Sequence, residues 1–193
     1  MSIIRTNQIT DTSGNGTPSF PNGIAGSVLQ VKQSQFLGNE AYNTADYVDV
    51  TNMTVTITPT SSLSKMLIQV MVNANANDNQ RFGIRVEKSI NGGSFSSFLL
   101  PNFTAGANGG AVTSNTNRFR AHAIGTGRGS NSSTSGQSIT LLDTPNTTSS
   151  IIYKLKACAE GSSFIYINSF QTFSDAGTVF APMSTITVTE IGG

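Results

Sequence analysis

The sequence predicts an all-β protein, an antiparallel β-sandwich or jelly roll preceded by an extended N-terminal arm, and three observations carry that prediction. Serine (25), threonine (24), asparagine (18) and glycine (19) supply 86 of the 193 residues, while charged residues make up only 11%. Helical surfaces draw on Glu, Lys, Gln and Ala, whereas Thr, Val, Ile and aromatic side chains suit a pleated, half-buried surface, and this chain is rich in the second set. Apolar residues recur with a period of two between turn-rich segments, and no segment carries a helical period. A hydrophobic fraction of 37% and a formal net charge of +1 separate the chain from disordered sequences, which combine few apolar residues with high net charge.

One core suffices for this length, since single domains run to about 150 to 250 residues before splitting. Residues 1–26 divide from the rest as an arm: two short apolar patches flank a Gly/Asn/Pro-rich middle that cannot hold a regular helix. Ile3, Ile4, Ile9 and Phe20 are too sparse to bury one another, so the arm is expected to gain order by lying along a neighbouring subunit, against the plainer reading of a frayed terminus. Residues 27–193 form the predicted β body. Val55 and Ile57 alternate with Thr54, Thr56 and Thr58, and Met66, Ile68, Val70 and Val72 point one way along the next run, with Pro59 to Ser62 read as a hairpin connection between them. Phe82, Ile84 and Val86 oppose Arg81, Gly83 and Arg85, after which Asn91, Gly92 and Gly93 supply the positive φ angles of a tight hairpin turn before Phe95. Further strands are expected at 118–124, 138–142, 151–158, 164–169 and 185–191, with exposed loops at 104–117 and 125–136, where binding residues would be sought first.

Several segments together resemble a known family: the opening MSIIRTNQITDTSGNGTPSFPNGI, then GSVLQVKQ, TVTITPTSSLSKMLIQVMV, RFGIRV, LLDTPNTTSSIIYKLKA and the closing STITVTEIGG. In this order and spacing they look like small virion structural proteins of tailed phages, especially those of marine and cyanobacterial hosts, and the resemblance covers almost the whole chain. It implies an N-terminal segment anchored to the particle and a jelly roll similar to the trimeric knobs of TNF and complement C1q. The expected partners are therefore two further copies in a homotrimer and other virion proteins, capsid or tail, held through the arm. The resemblance carries no enzyme motif that transfers to numbered positions.

Catalytic chemistry has little to stand on. His122 is the one histidine, and on the expected strand it shares a face with Arg118 and Arg120, whose charges oppose metal binding and imidazole protonation. Glycan-cleaving enzymes need paired carboxylates and no histidine, but the ten acidic residues are scattered, and tryptophan, common in sugar stacking, is lacking. Asp46 and Asp49 are the nearest such pair, on an expected loop beside Tyr42 and Tyr47. The run from Asn73 to Asn79 lacks the glycine and closing glutamate of a calcium loop and reads as a polar loop. Gly125, Gly127 and Gly129 match no dinucleotide fingerprint and read as a flexible loop. Neither catalytic residues, cofactor nor metal is expected.

The single cysteine, Cys158, can form no internal disulfide, so the fold does not require an oxidising compartment. No apolar run approaches the roughly 20 residues of a membrane span, and the N-terminus lacks a signal-peptide pattern. With so small a net charge, no strong field steers the protein to nucleic acid or anionic lipid. The arginines Arg81, Arg85, Arg118, Arg120 and Arg128 are the candidate contact for an anion or partner, against the plainer reading of a solvated face with local carboxylates such as Glu87. The function expected is that of a non-enzymatic virion component made in the host cytoplasm, a capsid decoration, head fibre or tail fibre knob. The alternative is a module that binds or cleaves a host surface glycan.

Overall fold

The computed structural model describes residues 25–77, 79–97, 121–127, 134–161, 163–170 and 182–193. Eleven strands are found among them: β1 (Val28–Phe36), β2 (Glu40–Asn43), β3 (Val48–Ile57), β4 (Lys65–Ala76), β5 (Arg81–Ile90), β6 (Ser96–Ser97), β7 (Ala123–Thr126), β8 (Ser135–Asp143), β9 (Ile151–Ala159), β10 (Phe164–Ile167) and β11 (Ser184–Ile191). No helix occurs among the described residues.

The strands form two antiparallel sheets, one in the order β1-β11-β4-β10-β2 with β8 also on β4, the other in the order β3-β9-β5-β6 with β7 also on β5. Three of the eleven are continuations. β10 pairs with β4 at Ala74 to Ala76 and β11 pairs with it at Lys65 to Met71, both on the side away from β8. β2 and β1 run along β10 and β11 in the same way, and β6 and β7 share one edge of β5. Joining each such pair leaves eight strands. Counted along the chain, they lie in the orders one, eight, three, six and two, seven, four, five, which is the eight-stranded, two-Greek-key jelly roll.

Alternation explains which faces meet. Met66, Ile68, Val70 and Val72 of β4 and Ile186 and Val188 of β11 are buried against Val55 and Ile57 of β3, Phe82, Ile84 and Val86 of β5, and Ile151 and Leu155 of β9. The segment 58–64 expected to close a hairpin instead carries the chain from one sheet to the other, because β3 pairs with β9 while β4 pairs with β8, β10 and β11. Period two fixes the buried face of a strand but not its neighbour. The Asn91 and Gly92 turn does close a hairpin, with φ of 52° and 72° and β5 paired to β6.

Polar side chains clamp the core at three places. Lys88 of β5 places Nζ 2.8 Å from both carboxylate oxygens of Asp143 on β8, and the Tyr153 hydroxyl donates to the same carboxylate at 2.7 Å, linking the two sheets. Buried Glu190 accepts from the Gln30 amide and from both the backbone N–H and hydroxyl of Thr60. Asn168, with φ of 53°, donates to the carbonyls of Phe36 and Gly38 and accepts from the Ser184 hydroxyl, which in turn accepts from the Asn73 N–H. That last cluster fixes both the departure of the chain from β10 and its return at β11.

Candidate functional site

Of the arginines singled out, Arg81 and Arg85 lie in the described structure; Arg118, Arg120 and Arg128 fall outside it, as do the arm residues Ile3, Ile4, Ile9 and Phe20. Arg81 and Arg85 alternate to the outer face of β5. Arg81, at the exposed end of the strand, sits 3.6 Å from Glu160. Arg85 is ion-paired with Glu87, and its guanidinium lies 3.9 Å above the ring of Tyr47.

These residues belong to a charged outer face built from β3, β9 and β5. Asp49 stands opposite Lys156, which stands opposite Arg85; one row along, Thr54, Lys154 and Glu87 are aligned. Lys154 reaches Asp49 at 2.8 Å, and Lys156 lies between Asp49 at 3.3 Å and Glu87 at 3.6 Å, so two carboxylates compensate three cations. Partial burial would raise the Asp49 carboxyl, but the hydrogen bonds and charges of Lys154 and Lys156 outweigh it and hold the group below its ordinary value. Lys154 also lies 3.7 Å from the Phe95 ring centroid. The sequence-based pair of Asp46 and Asp49 is therefore not a pair of carboxylates facing each other across a substrate: Asp49 is on β3 rather than a loop, and it neutralises lysines.

Tyr47 reaches across this face because Gly83 leaves room for it. A Cβ on Gly83 would come within 2.7 Å of the Tyr47 hydroxyl and 3.4 Å of the Cys158 sulfur. Burial raises both the Tyr47 phenol and the Cys158 thiol above their ordinary values. Cys158 is thus a packed thiol, not an activated nucleophile.

His122 lies just before β7, rather than within a strand. Its backbone N–H donates to the Ile84 carbonyl at 2.8 Å, and its Nδ1 accepts the Val86 N–H at 2.9 Å. The ring thereby serves the edge of β5 between the stretches paired by β7 and by β6. Two other expectations are corrected. Gly125 is in β7, where a Cβ would meet the buried Phe82 ring at 2.1 Å, and Gly127 lies where a Cβ would be 2.1 Å from the Asn77 carbonyl oxygen. Both glycines answer to close packing, not to loop flexibility. Residues 73–76 of the asparagine-rich run continue β4, with Asn75 buried. Among the described residues no group of three or more His, Cys, Asp or Glu side chains is placed to hold a metal.

The outer face of the other sheet was not singled out in the sequence. Three cross-strand rows cover β1, β11, β4 and β8: Val31, Thr189, Leu67 and Leu142; then Gln33, Thr187, Gln69 and Thr140; then Gln35, Thr185, Met71 and Ser138. None of these positions is charged. Val31, Met71 and Leu142 are each at least half exposed, at 55%, 52% and 50%. The signal was available as outward positions of four runs that carry little charge, but which runs adjoin is not written in any one of them.

The two ends of the sandwich also differ. Gly26 donates to the Gly192 carbonyl at 2.7 Å and Gly192 to the Ser27 carbonyl at 2.8 Å, so the chain enters the domain beside β11 at the end that carries the connections 58–64, 91–95 and 144–150. The last residues of β7 and β9 and the first residues of β8 and β10 belong to the opposite end.

No protein-family model matches the chain, and no curated protein matches it. Among solved structures, one of the infectious bursal disease virus Gx strain is similar at 9% identity and a TM-score of 0.32, over 96% of this chain and 42% of that one. The chain thus spans less than half the length of that neighbour, and a likeness this loose carries no argument about function.

Proposed function

We propose that the chain is a non-enzymatic structural component of a tailed-phage virion, a homotrimeric appendage held by its N-terminal arm. The observation that carries this reading is the pinned entry of the chain: Gly26 and Ser27 are hydrogen-bonded to Gly192, so whatever precedes residue 25 leaves from one defined end of a jelly roll. An arm that leaves there can bind a particle while the opposite end stays free for contact with the host surface. The order of segments that resembles phage virion proteins supports the same reading. The charged face supports no hydrolytic role, since its carboxylates neutralise lysines and an arginine.

The test is location. An antibody to this chain should label intact particles in electron micrographs, and a chain lacking residues 1–24 should remain folded yet fail to join them. Particles that never carry the chain, or that take up the truncated form equally well, would overturn the proposal. Turnover of purified host polysaccharide by the assembled protein would overturn its non-enzymatic part.

A further inference from the structure

We propose that Lys88 and Asp143 join in an intramolecular amide cross-link, Nζ to Cγ, that staples the two sheets together. Both residues depart from the pattern of their strands. Phe82, Ile84 and Val86 mark the inward row of β5, and Lys88 is the next residue on it; Ile139 and Leu141 mark the inward row of β8, and Asp143 closes it. An amine and a carboxylate therefore stand where alternation puts apolar side chains, and β5 and β8 belong to different sheets. Such a bond needs no virion, and its presence or absence leaves the function proposed above untouched.

Distance and shielding favour the bond. Lys88 Nζ is 2.8 Å from each Asp143 oxygen. Two equal contacts aim the nitrogen at the carbon between the oxygens and put it within about 3.2 Å, inside the roughly 3 to 3.5 Å of a near-attack arrangement. Only 5% of the Asp143 side chain and 18% of the Lys88 side chain meet solvent. Tyr153, the cross-strand neighbour of Lys88 on β9, donates its hydroxyl to Oδ2 at 2.7 Å. Burial, and after it the contact with Asp143, push that phenol far above its ordinary value, so it stays a donor. An ion pair in this position is weak evidence of a stabilising device, since well-packed apolar side chains commonly do as well. As reactants, the three groups each have a distinct use.

The chemistry balances without a further reagent. Nζ gives one proton to Oδ1, which turns two charges in a poorly hydrated site into an amine and a carboxylic acid. The amine lone pair attacks Cγ, and the negative charge that gathers on Oδ2 is held by the Tyr153 hydroxyl. A second Nζ proton passes to the Oδ1 hydroxyl, the Cγ–Oδ1 bond breaks, and water leaves on the partly exposed Lys88 side. The product is an amide whose oxygen still accepts from Tyr153. It spans 55 positions in a chain whose one cysteine can form no internal disulfide, and it lies at the end of the sandwich where the chain enters.

Intact-mass spectrometry of the full chain, purified and then unfolded, tests the bond. The wild type is expected to weigh one water less than its sequence requires, and trypsin should release a branched peptide joining the segments of Lys88 and Asp143. Lys88→Arg keeps the cation but not a nucleophilic amine; it should show the full sequence mass and no branched peptide, with circular dichroism verifying that it folds. Tyr153→Phe, followed from a pulse of synthesis, should close the bond at least about tenfold more slowly. A folded wild type that keeps its full sequence mass would overturn the proposal. So would a loss of water that persists in Lys88→Arg or that maps to an unbranched peptide. A Tyr153→Phe chain that closes as fast as the wild type would remove the role assigned to that hydroxyl.

Discussion

Replacing Glu190 with glutamine probes how the strand that receives the chain entry is held. Glu190 is fully buried; its Oε2 accepts from Gln30 Nε2 at 2.6 Å, and its Oε1 accepts the Thr60 N–H and hydroxyl at 2.7 Å each. Burial alone would raise this carboxyl, but the neighbouring Ser64 hydroxyl and the hydrogen bonds from Gln30 and Thr60 outweigh it and place the group below its ordinary value of 4.5. A carboxyl lowered on folding contributes stability above its unfolded value, and that contribution disappears as the pH falls through the folded one. Glutamine retains one oxygen for Thr60 but turns an amide NH2 towards the NH2 of Gln30. One charge-assisted bond, worth about 1.5 to 3 kcal/mol, is then lost and the others weaken to neutral strength. Urea unfolding at pH 7 should show Glu190→Gln less stable by about 2 to 3 kcal/mol, which for a chain of this size lowers Tm by roughly 5 to 10 °C. As the pH falls below 4.5 and through the lower folded value, the gap should narrow because the wild type loses this contribution. Equal stability at pH 7, or a gap that does not change on acidification, would refute the role given to this carboxylate.

Three further substitutions address other contacts. Gly125→Ala drives a methyl into the Phe82 ring and should cost about 1 to 3 kcal/mol in chemical denaturation, with no change expected if β7 is not packed as described. His122→Ala removes the acceptor of the Val86 N–H; a loss of about 1 to 3 kcal/mol is expected, and hydrogen exchange at the Val86 amide should quicken selectively. Lys88→Met leaves the Asp143 carboxylate buried without its cation, for about 3 to 5 kcal/mol, and adding Asp143→Asn should recover part of the loss in a double-mutant cycle.

Much of the β architecture was legible from residues alone, and the places where it was not share one cause. Ile68 and Val70 announce a buried face by alternation, and Asn91 and Gly92 announce a turn by the conformations they tolerate. Nothing near 57–65 tells that the chain there crosses between sheets, because neighbour choice is decided by strands far along the chain. The candidate surfaces divide similarly. Arg81 and Arg85 were seen to share a face, but that Arg85 rests on Tyr47, whose path requires Gly83, depends on tertiary packing. His122 was assigned to a strand face because its own segment alternates; its use as an acceptor for Val86, 36 residues away, has no local signature.

By itself the sequence determined the class of structure and the buried side of most strands, since burial follows a local two-residue rhythm that each segment carries independently. Only the tertiary structure decided strand order, the joining of β10 and β11 around Asn168 and Ser184, and the gathering of twelve uncharged positions on one sheet. Those outcomes depend on register between segments as far apart as Gln30 and Glu190, 160 positions along the chain, where pairing and packing are settled only by the whole core.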